Sequence, residues 1–267
     1  MGQLRKLLIV GLGNMSGAML AGWLAKGQSA DRFAALGRRP IEAPDGVETY
    51  SDVTAPLGHD AILLGFKPHQ LGAVAPTLQP IAGAGVTIYS LLAGITIAQL
   101  QSAFPNASAH VRVMPNLASR LGKSPVILAA QGLEPIEREA ATALFDDLGQ
   151  SVWLEDETQY DLCTALAGSG PGFVYRFIDA LATAATELGL DQASAKSLAL
   201  TMVEGGAALA AASELSPGEL ADRVASPGGM TREGLNVLDR DKALHRLLVE
   251  TLRATRDRGA ALSAGSD

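Results

Sequence analysis

Two glycine loops carry the residues of this chain best placed for chemistry. Toward the C-terminus stands Ser226-Pro227-Gly228-Gly229-Met230-Thr231, after one helical pattern and at the opening of another. Consecutive backbone N–H groups at a helix start, uncovered by two glycines, make a pocket for a small anion such as a carboxylate. Near the other end, Gly11-Leu12-Gly13-Asn14-Met15-Ser16-Gly17 reads as a mononucleotide-binding turn. One loop suited to a dinucleotide and one suited to a small acid point to redox chemistry.

The first loop follows an apolar run at the chain start and opens a helical pattern, as a dinucleotide fold requires. Ser16 stands where a third glycine is usual, and it is small enough for close packing of helix on strand. The end of the second expected strand bears on the cofactor. A site preferring NADH places a carboxylate there for the ribose hydroxyl, whereas this chain has Gly37-Arg38-Arg39-Pro40. Two guanidiniums can clamp a 2′-phosphate, so the expectation is NADPH, with NADH possible but weaker. The plain alternative is a solvated surface pair. Phe66-Lys67-Pro68 and Ala93-Gly94 fall at the C-terminal ends of expected strands, where ligands of open α/β sheets bind. Taken alone, Lys67 reads equally well as an ordinary loop lysine.

These residues need a frame. The first half alternates strand-like runs (7–10, 33–36, 61–64, 86–91, 110–113, 125–130 and 151–154) with helical patterns at 17–26, after Thr96, and at 136–148. Such alternation predicts a mainly parallel, Rossmann-type sheet covered on both faces. Near Asp156 the periodicity changes to helices alone. A long helical pattern over 161–188 is interrupted at Gly168-Ser169-Gly170-Pro171-Gly172, which reads first as a close-packing site or a kink. Asp191 caps the next helix, Ser216-Pro217-Gly218-Glu219 opens another, and 242–256 forms the last, with 259–267 as a frayed tail. The expected division is a dinucleotide-binding domain over 1–156 and an all-helical domain over 157–267.

At 267 residues with 48% apolar composition, the chain can bury a substantial core. A formal net charge of -7 argues against nucleic acid and against an anionic membrane surface. The single cysteine, Cys163, makes no internal disulfide or metal motif and reads as a small buried hydrophobe in a helix. Residues 68–111 carry no Asp, Glu, Lys or Arg, but prolines divide them into pieces too short to span a bilayer. No signal peptide is visible, and a cytoplasmic protein is expected.

Taken together, Gly11 to Met15, Phe66-Lys67-Pro68, Ala93-Gly94, Arg112-Val113-Met114-Pro115-Asn116, Thr164 to Pro171 and Ser226 to Thr231 resemble the pyrroline-5-carboxylate reductase family over essentially the whole chain. The last three segments are the specific ones. The resemblance implies NADPH-dependent reduction of a five-membered cyclic imine bearing a carboxylate, giving L-proline in the last step of its biosynthesis. It implies that the backbone of Gly228, Gly229, Met230 and Thr231, with Ser226, holds that carboxylate. The Thr231 hydroxyl would bond the ring nitrogen and relay a proton; on the bare sequence the alternative is a simple cap for the following helix. Glu214 is a weaker candidate for orienting that nitrogen through water, the alternative being an exposed turn acid. Met114, Pro115 and Asn116 would lie beside the nicotinamide, although a proline-broken strand end explains them too. The resemblance also implies helical domains interleaved in a homodimer or a ring of dimers, with no metal.

Ser16, Phe66, Gly172 and Met230 depart from the family's usual residues and bear on cofactor affinity and substrate preference. A β-hydroxyacid dehydrogenase shares the opening loop but needs a lysine with an asparagine one turn later. The interdomain helix here has Ser169, Gly170 and Arg176, and Lys196 is followed by Ser, Leu and Ala. A reductase of another cyclic imine, or a non-catalytic NADPH sensor, are the other rivals. A sensor has no use for the second loop.

Overall fold

The computed structural model describes residues 6–38, 40–53 and 58–264. By compactness the chain forms two units, one of residues 1–169 with 255–267 and one of residues 170–254. Residues 157–169 thus pack with the sheet.

The first unit is built on eight strands in the order β3-β2-β1-β4-β5-β6-β7-β8. They are β1 (Leu7–Val10), β2 (Phe33–Leu36), β3 (Glu48–Tyr50), β4 (Ala61–Leu64), β5 (Thr87–Ser90), β6 (Ala109–Met114), β7 (Ser124–Gln131) and β8 (Gly149–Leu154). Every pairing is parallel except β6 with β7, which is antiparallel. The mainly parallel sheet expected from the sequence is therefore present. β3 was not anticipated: Glu48, Thr49 and Tyr50 form an edge strand without the apolar run that marks the central ones.

Strands buried on both faces must be apolar at every position, and β1, β2 and β4 are. Leu7 and Ile9 face one layer with Trp23, Phe33 and Phe145. Leu8 and Val10 face the other with Leu78, Leu100 and Phe104. The first layer holds α1 (Asn14–Ala25) and α4 (Pro135–Asp146), and the second α2 (Leu71–Leu78) and α3 (Ile97–Ala103). Trp23 is fully buried, and its indole donates to the Leu144 carbonyl at 2.8 Å. At Gly22 a Cβ would lie 2.1 Å from the Ser119 carbonyl oxygen, so only glycine lets α1 sit this close to the turn over Leu117–Leu121. α1 starts at Asn14, three residues before the expected Gly17, because the glycine loop itself is the helix entry.

The segment after β8 forms α5 (Tyr160–Cys163) and a π-helical turn over Thr164–Gly168. Cys163 is part-buried rather than fully buried, and burial raises its thiol pKa. At Gly168 a Cβ would stand 3.3 Å from Met114 Cγ; at Gly170 and Gly172 it would meet nothing, so close packing explains only the first of these glycines.

The second unit contains α6 (Gly170–Glu187), α7 (Gln192–Ala211), α8 (Pro217–Val224), α9 (Met230–Asp239) and most of α10 (Ala243–Ala264). Asp191 accepts from the Ala193 and Ser194 amides, and Ser216 and Glu219 form a reciprocal capping box, as the sequence indicates. α10 runs on to Ala264, which corrects the expected fraying from Gly259. The buried core between α6 and α7 is small: Ala182, Ala195 and Ala199. Tyr175, Phe177, Leu198, Met202, Leu209 and Leu247 remain exposed. Among the described residues no helix is long and apolar enough to cross a membrane.

Candidate active site

β1 pairs with β2 on one side and β4 on the other, so the crossovers reverse direction there, the point at which open α/β sheets bind ligands. The chain leaves β1 at Gly11, whose φ of +88° places it in the region that favours glycine. A Cβ on Gly11 would stand 3.2 Å from the Gly65 carbonyl carbon and the Phe66 nitrogen. On Gly65 it would fall 2.5 Å from the Gly11 oxygen, so both strand ends need a bare backbone.

Ser16 is buried, and its hydroxyl donates to the Gly11 carbonyl at 2.7 Å and accepts from the Gly13 N–H at 2.9 Å. The residue that departs from the glycine pattern is therefore the tie of the loop. Gly13 and Asn14 lie exposed at the start of α1, whose first amides lack helical acceptors.

A cleft of about 920 Å³ adjoins the loop, lined by Gly11, Leu12, Arg38, Glu42, Asp52 and Phe66 among others. The bare loop, the helix start and this cleft fit a dinucleotide. Arg38 borders the cleft as expected; Arg39 lies outside the described residues. The cleft also holds two carboxylates, Glu42 and Asp52. Inspection of the β2 end alone misses them, since they come from the loops before and after β3.

Lys67 is exposed and precedes a short turn, its amide donating to Gln70 Oε1 at 3.0 Å. Pro68 and Ala93 line a second cleft of about 890 Å³ with Arg258 and Leu262. Gly94 has φ +76°, and a Cβ there would stand 3.2 Å from the Leu262 backbone carbon and Cβ. The last turns of α10 thus cover the Ala93–Gly94 loop.

Met114 ends β6, Pro115 and Asn116 follow it, and Asn116 is tightly engaged. Its side-chain Nδ2 donates to the Ala167 carbonyl at 3.0 Å, and its Oδ1 accepts from Ala118 N–H at 2.9 Å. It pins the π-helical turn to the end of β6. Sequence reasoning missed the cluster behind it. Arg112 is 4% exposed, its guanidinium 2.8 Å from Glu157 and stacked 3.7 Å above the Tyr160 ring. Glu157 Oε1 also accepts from Ile97 N–H at 2.9 Å, so one carboxylate joins β6 to the start of α3. Burial raises the Tyr160 pKa above that of an ordinary phenol. An arginine in a buried strand was the available signal.

In the helical unit, Ala225 to Gly229 link α8 to α9. Gly228 has φ +72°, Gly229 N–H donates to the Ser226 carbonyl at 2.9 Å, and a Cβ on Gly229 would stand 2.7 Å from Ser226 Oγ. Met230 is 94% exposed. Gly229, not Thr231, is the N-cap of α9, which leaves Thr231 in the first turn and removes the capping alternative. Glu214 is exposed in the bend before α8. Among the described residues no cluster of His, Cys, Asp and Glu suits a metal ion.

A dinucleotide-binding sheet followed by a helical unit with an amide-lined loop defines a nucleotide-dependent oxidoreductase. The family model of pyrroline-5-carboxylate reductase dimerisation matches residues 157–262. Pyrroline-5-carboxylate reductase 2 of Bacillus subtilis is 32% identical to this chain, covering 97% of it and 95% of the relative. The structure of a pyrroline-5-carboxylate reductase from Coxiella burnetii matches with a TM-score of 0.89 at 29% identity, covering 98% of this chain and 99% of that one. The fold is shared by the Plasmodium falciparum pyrroline carboxylate reductase with NADP bound, at a TM-score of 0.84 and 24% identity, over 98% of this chain and 100% of that one. The chain belongs to the pyrroline-5-carboxylate reductase family.

Proposed function

We propose that this protein reduces the C=N bond of 1-pyrroline-5-carboxylate to give L-proline, with NADPH as the preferred reductant. The observation that carries the reading is one chain holding both the Gly11 cradle and the Ser226–Thr231 loop within a full-length match to such reductases.

When bound, NADPH supplies the hydride. The chain's own task is placement. The amides at the start of α9 take the substrate carboxylate, helped by the positive end of the helix. Ser226 and Met230 flank that pocket, and the Thr231 hydroxyl in the first turn bonds the ring nitrogen, its oxygen accepting from the N–H of the iminium form. The imine nitrogen is basic, so the protonated iminium is accessible near neutral pH. Hydride addition to the carbon then leaves the nitrogen its proton, and no buried acid–base pair is needed. Glu214 supports the same nitrogen through water. Gly11 to Met15 hold the pyrophosphate, Arg38 with Arg39 holds a 2′-phosphate, and the Phe66-Lys67-Pro68, Ala93-Gly94 and Met114-Pro115-Asn116 segments line the remainder of the cofactor.

The apolar side chains left exposed on the helical unit are explained by a second copy, giving a homodimer or a ring of dimers, with the functional division at 156/157. The reading places the enzyme in the cytoplasm. The test is NADPH oxidation by the purified chain with the cyclic imine, with proline identified as product. Turnover dependent on the imine is expected; NADPH binding without turnover would leave the sensor reading.

A further inference from the structure

We propose that Arg232 is a positioning residue that holds the Ser226–Thr231 loop in its anion-binding shape. The inference rests on the reading that this loop takes the substrate carboxylate.

Arg232 is the third residue of α9. A cation in the first turn opposes the helix dipole, so helix stability does not account for it. Its Nη2 instead donates to Asp222 Oδ1 at 2.9 Å and to the Ala225 carbonyl at 3.4 Å. Asp222 lies in the last turn of α8, and Ala225 is the residue just past it, whose carbonyl is one of those a helix end leaves without partners. One guanidinium therefore ties the end of α8 to the start of α9.

Only five residues, Ala225, Ser226, Pro227, Gly228 and Gly229, lie between the two helices. A backbone bond from Gly229 N–H to the Ser226 carbonyl closes the turn, while Gly228 sits at positive φ. Ser226, Pro227 and Gly228 are exposed, and Arg232 is part-buried, its side chain 29% exposed. A loop that ends in two glycines has little conformational preference of its own there. The Arg232 brace fixes the distance across it, and with it the direction in which the amides of Met230 and Thr231 point. The same guanidinium keeps positive charge beside the place where a carboxylate would arrive, partly balanced by Asp222.

The test uses the full chain with Arg232→Ala, Arg232→Lys and Asp222→Asn, varying the cyclic imine at saturating NADPH. For Arg232→Ala we expect the imine KM to rise about fivefold, the scale of a part-exposed ion pair, with kcat changed less than about twofold. The KM for NADPH stays where it was. Asp222→Asn shifts the imine KM in the same direction by less, and Arg232→Lys recovers part of the loss. An imine KM unchanged in Arg232→Ala overturns the inference. So does a parallel fall in kcat, NADPH affinity and melting temperature, which marks a role in folding alone. Should the unsubstituted chain fail to reduce the imine, the proposed function fails first; should it turn over while Arg232→Ala matches it, only the role of Arg232 fails.

Discussion

Ser16 donates its hydroxyl to the carbonyl of Gly11 at 2.7 Å, across the loop that joins β1 to α1. The same oxygen accepts from Gly13 N–H, so the helix secures the turn that opens it. Ser16→Ala leaves a part-buried carbonyl and an amide without that partner. The expected cost is about 1–2 kcal/mol of stability, read by urea denaturation. The NADPH KM should rise several-fold while the imine KM holds. Equal stability and equal NADPH KM would show the loop to be set by its glycines alone.

Arg112 is a buried cation whose partners are Glu157, Asp161 at 4.0 Å and the Tyr160 ring. Removing it leaves the part-buried Glu157 without its counter-charge. Arg112→Ala should cost about 3 kcal/mol, toward the lower end for broken buried pairs because Glu157 is one-third exposed. Glu157→Gln should cost less, since an amide oxygen still accepts from Ile97 N–H. The comparison is made by thermal and urea denaturation.

Among the described residues, His59 has no hydrogen-bond partner at either ring nitrogen. Burial, aided by Lys6, lowers its pKa to about 4. The unfolded chain takes up a proton below about 6.5 while the folded protein does not. The stability contributed by the neutral ring is complete above that value, declines as pH falls, and is lost by about 4. His59→Gln should flatten the stability–pH slope across this window. An unchanged slope would mean that the ring is solvated in the folded state.

Replacing Arg38 and Arg39 together with Ala should raise the NADPH KM at least tenfold, the scale of one to two charge-assisted bonds to a phosphate, and leave the NADH KM nearly unchanged. Equal effects on both cofactors would remove the pair from phosphate recognition and leave Glu42 and Asp52 as the determinants of cofactor choice.

The central strands were legible because burial on both faces demands unbroken apolar runs, and Leu7–Val10 and Ala61–Leu64 supply them. The caps at Thr96, Asp191 and Ser216 were legible because each satisfies a helix start with its own side chain. β3 was not, since an edge strand needs no apolar repeat, and α2 carries Pro76 inside it. The antiparallel turn of β7 is a property of pairing that no single strand encodes. At the site, the glycine loops announce themselves by composition. The Arg112–Glu157 pair spans 45 residues and the Asn116–Ala167 bond spans 51, and contacts at that separation leave no local pattern.

The most direct measurement follows the hydride itself. With NADPH carrying deuterium at both C4 positions, the purified chain should place one deuterium on the proline carbon that was doubly bonded to nitrogen. Thr231→Ala should slow that transfer strongly without weakening NADPH binding. Proline formed without label, or labelled cofactor left unconsumed in the presence of the imine, would contradict direct reduction of the C=N bond by this protein.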